Sequence, residues 1–280
     1  MIKFPKLRLR IPNRYYHYAL TTLVFVYVAM IFWPGENVNF YTVCAQPPIV
    51  VYHHIVEENS LPAGTKNITT AKKLEEDLRA LTVAGYTPVF LRDVLNSYKH
   101  GLPLPRKPVV IQFDDGYESV YTLAMPILEK LGLVAEVYPV VSFIGRKDGF
   151  QYLDWEQLRA MQDSGLFIVG CHGLTHDRAT DRDPAQFAAD VSYARSQLIR
   201  NLGPYSAQIY SYPSGDFNGA TLEAVRNIGF SSQLVLNWGI KRSMREYDFF
   251  VRRSIDYDDD ILQVIMRSNW RLTWLFMRPS

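Results

Sequence analysis

The stretch "VVIQFDDGYESVY", residues 109–121, decides the fold and raises the main chemical question. It carries an apolar run into two adjacent carboxylates, Asp114 and Asp115, which are followed by a glycine. A mostly apolar run of this length is typical of a strand that is buried on both faces of a parallel sheet. Because neighbouring like charges resist ionising together, two aspartates at the end of such a strand require a compensating positive charge.

Short apolar runs alternate with amphipathic helical stretches on both sides of this strand. The helical spacing is clearest where Leu74, Leu78 and Leu81 share one face, between a Thr cap and Gly85. We predict at least seven strands: 49–55, 86–91, 109–113, 134–141, 166–172, 207–213 and 230–236. Strands that alternate with helices are typical of a parallel α/β fold, either an α/β barrel or a doubly wound sheet.

The first 48 residues follow a different pattern. A basic tail (1–14) without acidic residues precedes residues 15–33, which contain no Lys, Arg, Asp or Glu. That segment is long enough to span a bilayer as a helix, and aromatic residues lie at its ends. We predict a single-pass membrane anchor, then a linker (34–48), then a folded domain (49–280) on the extracytoplasmic side, because basic flanks stay in the cytoplasm. The alternative is a cleaved signal peptide and a secreted or periplasmic protein.

The composition indicates a globular domain and argues against a nucleic-acid-binding protein. Hydrophobic residues make up 48% of the chain and charged residues 21%. The net charge of +2 comes from the basic tail, so the folded domain has no basic footprint for nucleic acid. We expect both cysteines, Cys44 and Cys171, to be free, because one lies in the linker and the other beside a histidine.

Polar side chains that could carry chemistry follow several of the predicted strands. Ligands collect at the carboxyl ends of strands in parallel α/β sheets. Four of the six histidines and both adjacent aspartates lie at or just beyond such ends. These residues are His53, His54, Asp114, Asp115, His172 and His176.

Two histidines and a carboxylate form a common ligand set for a catalytic divalent metal with open positions for water. Such a metal lowers the pKa of bound water and polarises a carbonyl group. It also answers the charge problem, because a cation on one aspartate helps its neighbour to stay ionised. Each motif alone is weak, since H-x-x-x-H pairs often occur without metal and Asp-Gly is a turn signal. Both motifs in one α/β fold indicate a metal site.

The segments "FDDGY" (113–117), "GCHGLTH" (170–176) and "YPSGDFN" (212–218) together resemble the polysaccharide deacetylases. This family is carbohydrate esterase family 4, also called the NodB-homology domain, and the resemblance covers roughly residues 49–257. The early "VYHHI" (51–55) is most similar to the branch that deacetylates poly-β-1,6-N-acetylglucosamine and related envelope or biofilm polymers. The resemblance implies a distorted (β/α) barrel and a hydrolase that removes N-acetyl groups from such a polysaccharide.

The resemblance also assigns the metal and the base. Asp115, His172 and His176 would bind a divalent metal, and Asp114 would be the general base that takes a proton from the metal-bound water. Zinc suits this ligand set, and cobalt or nickel would fit the same ligands.

The remaining roles follow the same resemblance. The backbone N–H of Ser214 would help to hold the oxyanion. The general acid in this family is usually a histidine near the C-terminus, but this chain has none after His176, and the early-histidine branch implies His53 instead. His54 should point to the opposite face of the strand. Many members of the family carry an Arg just before the segment that corresponds to 212–218, and this Arg contacts the base. In this chain Ser211 occupies that position.

Two alternatives share these residues. The first is an O-acetyl esterase that acts on a decorated polysaccharide with the same site chemistry. The second is a catalytically silent member that binds glycan within an export complex, although an intact metal set argues against silence. The expected partners are an acetylated polysaccharide and, through the N-terminal helix, a membrane.

Overall fold

The structure is a computed structural model, and it describes residues 46–60, 66–236 and 249–266. The predicted basic tail and anchor (1–33) lie outside the described residues, as do Cys44 and most of the linker. Within the described part of the chain, none of the helices combines the length and the apolar character that a membrane crossing needs.

The described residues contain ten strands, most of which lie in one parallel sheet. The strands are β1 (Ile49–Tyr52), β2 (His54–Val56), β3 (Ile68–Thr70), β4 (Thr87–Pro88), β5 (Pro108–Asp115), β6 (Ala135–Pro139), β7 (Phe167–Val169), β8 (Ile209–Ser211), β9 (Ser232–Leu236) and β10 (Phe249–Ser254). Eight strands form the main sheet, in the order β7-β6-β5-β1-β10-β9-β8, with β4 paired to the start of β5. Strands β2 and β3 form a separate parallel pair.

The two ends of the main sheet meet through Cys171, just after β7. Cys171 forms a parallel bridge with Tyr210 of β8. The Cys171 N–H donates to the Ile209 carbonyl (3.0 Å), and the Ser211 N–H donates to the Cys171 carbonyl (2.8 Å). The sheet is therefore a curled parallel barrel with one thin seam, which confirms the barrel and excludes an open doubly wound sheet. Cys171 is a buried free thiol, as predicted.

Helices cover the outside of the sheet, and the first of them begins at the predicted Thr cap. They are α1 (Ala71–Val83), α2 (Leu91–His100), α3 (Met125–Leu131), α4 (Trp155–Asp163), α5 (Pro184–Leu202) and α6 (Gly219–Ile228). The Thr70 hydroxyl accepts from the Lys73 N–H at the start of α1, and the Asp154 carboxylate accepts from the Gln157 N–H at the start of α4. Leu74, Leu78 and Leu81 are all fully buried, so the predicted apolar face of α1 is the one that packs.

Most predicted strands are longer than the observed ones. Strand 49–55 ends at Tyr52, and the residues after His53 pair with β3 instead of continuing in the main sheet. Strand 86–91 shrinks to Thr87–Pro88, because the last bond to β5 is made by the Val89 N–H and Leu91 already begins α2. Strands 166–172 and 207–213 shorten to Phe167–Val169 and Ile209–Ser211.

Candidate metal centre and active site

The last two residues of β5, Asp114 and Asp115, place their carboxylates close together because Asp115 leaves the extended conformation. Neighbouring side chains of a strand normally point to opposite faces. Asp115, however, has a φ of +67°, a left-handed conformation that Asp tolerates better than most residues. As a result, Asp114 Oδ2 and Asp115 Oδ1 lie 3.6 Å and 3.4 Å from the same atom, His172 Nε2.

Gly116 is required directly after this turn. Its φ is +81°, and a Cβ atom at this position would lie 2.8 Å from the Cβ of Pro139, the last residue of β6. The Asp-Asp-Gly sequence is therefore the local solution that ends a buried strand and turns both carboxylates toward one imidazole.

His172 is held with one ring nitrogen aimed at the carboxylates. Its Nδ1 lies 2.8 Å from the Ser211 carbonyl oxygen, which can only accept, so Nδ1–H is the donor. In the neutral ring, Nε2 is then the free ligand atom that faces Asp115. The side chain is 1% exposed, so its orientation is fixed by the surrounding protein.

His176 completes the set from a loop. Its Nε2 lies 3.2 Å from Asp115 Oδ1, and its ring centroid lies 5.2 Å from that of His172. The loop is tied down before His176, where the Ser142 N–H donates to the Leu174 carbonyl (3.0 Å). It is also tied down after His176, where Arg182 donates to the Asp177 carboxylate (2.7 Å).

These three residues fit a divalent metal. One ligand atom from each of Asp115, His172 and His176 lies within 4.8 Å of the others. The Oδ1 atom of Asp115 is buried and accepts no hydrogen bond, although two imidazole nitrogens lie 3.2 Å and 3.4 Å from it. Ligands about 2.1 Å from a tetrahedral zinc ion would lie about 3.4 Å apart, so these spacings suit a shared ion.

The charges within the set are strongly coupled. Burial opposes ionisation of Asp115, but the imidazoles of His172 and His176 outweigh it and hold the pKa of this carboxyl well below its usual range. The Asp115 carboxylate in turn raises the pKa of His176 against the opposing effect of burial. The carboxylate therefore attracts positive charge, which either protons or a metal ion can supply.

Asp114 is paired with an arginine, Arg252 of β10, which is not among the residues predicted for the site. Arg252 Nη1 donates to Asp114 Oδ1 (2.7 Å), and Nη2 donates to Asp114 Oδ2 (2.5 Å). The two side chains are 1% and 3% exposed. Burial raises the pKa of Asp114, but the Arg252 guanidinium, together with His172 and His53, more than offsets this effect, so the pKa lies below its usual value.

This pair bears on Ser211, which stands where the resemblance implies an arginine in many members. The Ser211 hydroxyl accepts from Arg252 Nη2 at 2.6 Å, so a cation still lies against Asp114 but reaches it from β10. A signal was present in the sequence, because Arg252 directly follows the apolar residues Phe249, Phe250 and Val251. A charged residue in a buried strand is rarely tolerated without a partner.

Further buried polar groups support Arg252 from the other side. Its Nη1 also donates to Gln112 Oε1 (3.4 Å), and Gln112 Nε2 donates to Glu136 Oε2 (2.9 Å). Glu136 additionally accepts from the Tyr138 hydroxyl (2.6 Å). Asp114 is thus the end member of a continuous buried network of hydrogen bonds.

His53 and His54 diverge at the end of β1. Burial lowers the pKa of His53, and the charges of Asp114 and Asp115 offset part of this effect, so His53 lies within electrostatic reach of both carboxylates. Its Nδ1 is buried without a hydrogen-bond partner. The His54 ring points elsewhere, with Nδ1 3.1 Å from the Ser119 hydroxyl. His53 is therefore the histidine positioned near the base, and its role as an acid stays a prediction.

Ser214 lies in a turn at the carboxyl end of β8. The turn spans Pro213–Gly215, and Ser214 has a φ of +57°. It follows three residues after Ser211, whose carbonyl orients His172. The position agrees with the expected end of the barrel, and its part in oxyanion binding stays a prediction.

Comparison with known proteins identifies this site. A family model described as polysaccharide deacetylase matches residues 101–232, a range that includes the three candidate metal ligands. Residues 101–232 therefore match a polysaccharide deacetylase domain. This confirms the predicted resemblance to the polysaccharide deacetylases.

Individual members of the polysaccharide deacetylase family extend the comparison. YxkH of Bacillus subtilis is 29% identical over 186 residues, which is 66% of this chain and 63% of YxkH. The poly-beta-1,6-N-acetyl-D-glucosamine N-deacetylase of Escherichia coli K12 is 24% identical over 230 residues, covering 69% of this chain and 34% of that protein. IcaB from Ammonifex degensii aligns with a TM-score of 0.65 at 25% identity, covering 79% of this chain and 96% of that one. The chain therefore spans less than two thirds of either curated relative.

Proposed function

We propose that this protein is a metal-dependent hydrolase that removes N-acetyl groups from an N-acetylglucosamine-containing envelope or biofilm polysaccharide. The observation that carries the proposal is the convergence of Asp115, His172 and His176 within 4.8 Å, directly beside the arginine-paired Asp114. The family supplies the reaction class, and relatives named for poly-β-1,6-N-acetylglucosamine support the substrate class.

The metal site would be formed by Asp115, His172 and His176. A bound zinc ion, or cobalt or nickel, would polarise the acetyl carbonyl and lower the pKa of a bound water. The Ser211 carbonyl and the buried position of His172 keep its Nε2 aimed at this site before any metal arrives.

Asp114 would act as the general base. Arg252 keeps its carboxylate ionised in a buried position and fixes both of its oxygens. A fixed, ionised carboxylate next to the metal ligands is suited to accept the proton of the attacking water.

His53 would act as the general acid that protonates the leaving amine. It faces Asp114 and Asp115, whose negative charges favour its protonated form although burial opposes it. The Ser214 N–H would stabilise the oxyanion, and a well-placed donor of this kind contributes roughly 3–4 kcal/mol.

The cellular location is a second part of the proposal. Residues 15–33 would anchor the chain in the cell membrane, with the catalytic domain (49–280) on the extracytoplasmic side. Fractionation of cells that express the full chain tests this part, and release of the whole protein into a soluble fraction would favour a cleaved signal peptide.

The deciding experiment is acetate release by the purified full chain from a panel of acetylated glycans. Fully N-acetylated poly-β-1,6-N-acetylglucosamine and O-acetylated xylan should be compared, each with and without a chelator. Chelator-sensitive release from the N-acetylated polymer supports the proposal, and release from the O-acetylated glycan alone would make the protein an esterase. An Asp115→Ala variant that retains full activity would contradict the assigned site.

A further inference from the structure

A set of aromatic rings in mutual contact begins next to the metal ligands and leads to the protein surface. We define the aromatic wall as His54, Tyr117, Phe143, Phe150 and Tyr152. The Tyr117 ring lies at its centre, with centroids 4.8 Å from His54, 5.4 Å from Phe150 and 5.1 Å from Tyr152. Tyr117 follows the ligand Asp115 by two residues, and the Asp115 charge adds to burial in raising the pKa of its phenol.

The outermost ring of the aromatic wall faces solvent. Phe150 is 51% exposed, yet its ring contacts both Tyr117 and His54, with the His54 centroid at 5.2 Å. A single exposed apolar side chain needs no explanation by itself. An exposed ring that makes edge-to-face contacts with rings beside a candidate active site is a different case, because it extends the site along the surface.

The aromatic wall is held in place by the backbone. The Leu153 N–H donates to the Gly116 carbonyl (2.8 Å), and the Glu118 N–H donates to the Gln151 carbonyl (2.9 Å). Tyr117 and Tyr152 form an antiparallel bridge between these two bonds. Phe150 therefore sits on a segment that is fastened to the loop after Asp115, and binding to it would order little additional chain.

The charges at the rim of the wall are already neutralised. Arg146 pairs with Asp148 (2.9 Å), and Lys147 pairs with Glu118 (2.8 Å). An anionic ligand would find no unpaired cation among these neighbours. The wall suits an uncharged ligand with an apolar face.

We propose that Phe150 and Tyr117 bind a pyranose ring of the polysaccharide adjacent to the sugar whose acetyl group lies at the metal. This inference rests on the proposed function. A β-linked N-acetylglucosamine unit carries its polar groups equatorially, so its C–H groups form an apolar face that can pack on an aromatic ring. The residues would thereby favour polymer over isolated sugar.

The test is the Phe150→Ala variant, since truncation of an exposed side chain should leave the fold intact. With oligosaccharides of β-1,6-N-acetylglucosamine, KM should rise about 5- to 10-fold while kcat changes little. Phe150→Trp should restore the lower KM. The matched control is Tyr205→Ala, which removes an aromatic ring that is 83% exposed and lies outside the aromatic wall.

The outcomes separate this inference from the proposed function. If Phe150→Ala keeps the wild-type KM while Asp115→Ala is inactive, sugar binding by Phe150 is contradicted and the proposed deacetylase site is retained. If the wild type releases no acetate, saturation-transfer NMR with the same oligosaccharides still tests whether the aromatic wall binds sugar. Phe150→Ala should lose that binding, and Tyr205→Ala should not. A wild type that dimerises through this face, with a monomeric Phe150→Ala, would overturn the inference.

Discussion

Arg252 and Asp114 form a bidentate ion pair between the two strands that flank β1, with N–O distances of 2.7 Å and 2.5 Å and almost no solvent contact. One residue lies in β10 and the other at the end of β5, separated by 138 positions in the chain. The pair bears on both stability and reactivity, because Arg252 keeps the Asp114 carboxylate ionised and also compensates its burial.

Removal of Arg252 should be costly for stability and for activity. Arg252→Met leaves the Asp114 carboxylate buried without a cation, and breaking a buried pair in this way costs about 3–5 kcal/mol. Urea unfolding monitored by circular dichroism measures this loss. The double variant Arg252→Met/Asp114→Asn should recover much of the stability but none of the activity, and equal instability of the single and double variants would contradict the pairing.

Asp114→Asn should separate catalysis from metal binding. The amide cannot take a proton from water, so deacetylation should be abolished, while Asp115, His172 and His176 still bind zinc. Calorimetric zinc titration together with acetate release measures both effects. His172→Ala should lose zinc and activity together, and normal turnover by Asp114→Asn would remove the base assignment.

The sequence predicted most of the site but not its supporting charges. Asp114, Asp115, His172 and His176 could be found because each lies at or beyond a strand end, where the parallel fold places ligands. Arg252 could not be assigned, because only the strand order shows that β10 lies beside β1, one strand away from Asp114. The break of the first strand at His53 was missed as well, since "VYHHI" has the composition of one continuous strand.

Metal affinity should fall as the pH is lowered through the pKa of His176. The Asp115 carboxylate raises this pKa in the metal-free protein, so below it the ring holds a proton that the metal must displace. Zinc titrations between about pH 8 and pH 5.5 should show weaker binding at lower pH, with protons released on binding. An affinity that does not change over this range would exclude His176 as a ligand.

His53→Ala should reduce deacetylation about 10²–10⁴-fold, which is the usual range for general acid–base catalysis. Zinc affinity should change little, because His53 is not among the three clustered ligands. His100→Ala is the matched control, since His100 is an exposed histidine at the end of α2. A near-wild-type rate for His53→Ala would remove this residue from the mechanism.

Gly116→Ala should damage the metal site through the backbone alone. Both Gly116 and Gly132 have positive φ angles, of +81° and +64°. An alanine at position 132 meets no atom within 4 Å, whereas at position 116 its Cβ would lie 2.8 Å from a carbon of Pro139. Gly132→Ala should therefore cost about 1 kcal/mol of backbone strain, and Gly116→Ala clearly more.

Because relief of the clash must move the turn that carries Asp115, zinc affinity should fall only in Gly116→Ala. Thermal unfolding and zinc titration of the two variants measure this contrast, and equal behaviour would show that the Asp-Asp-Gly turn does not set the geometry of the site.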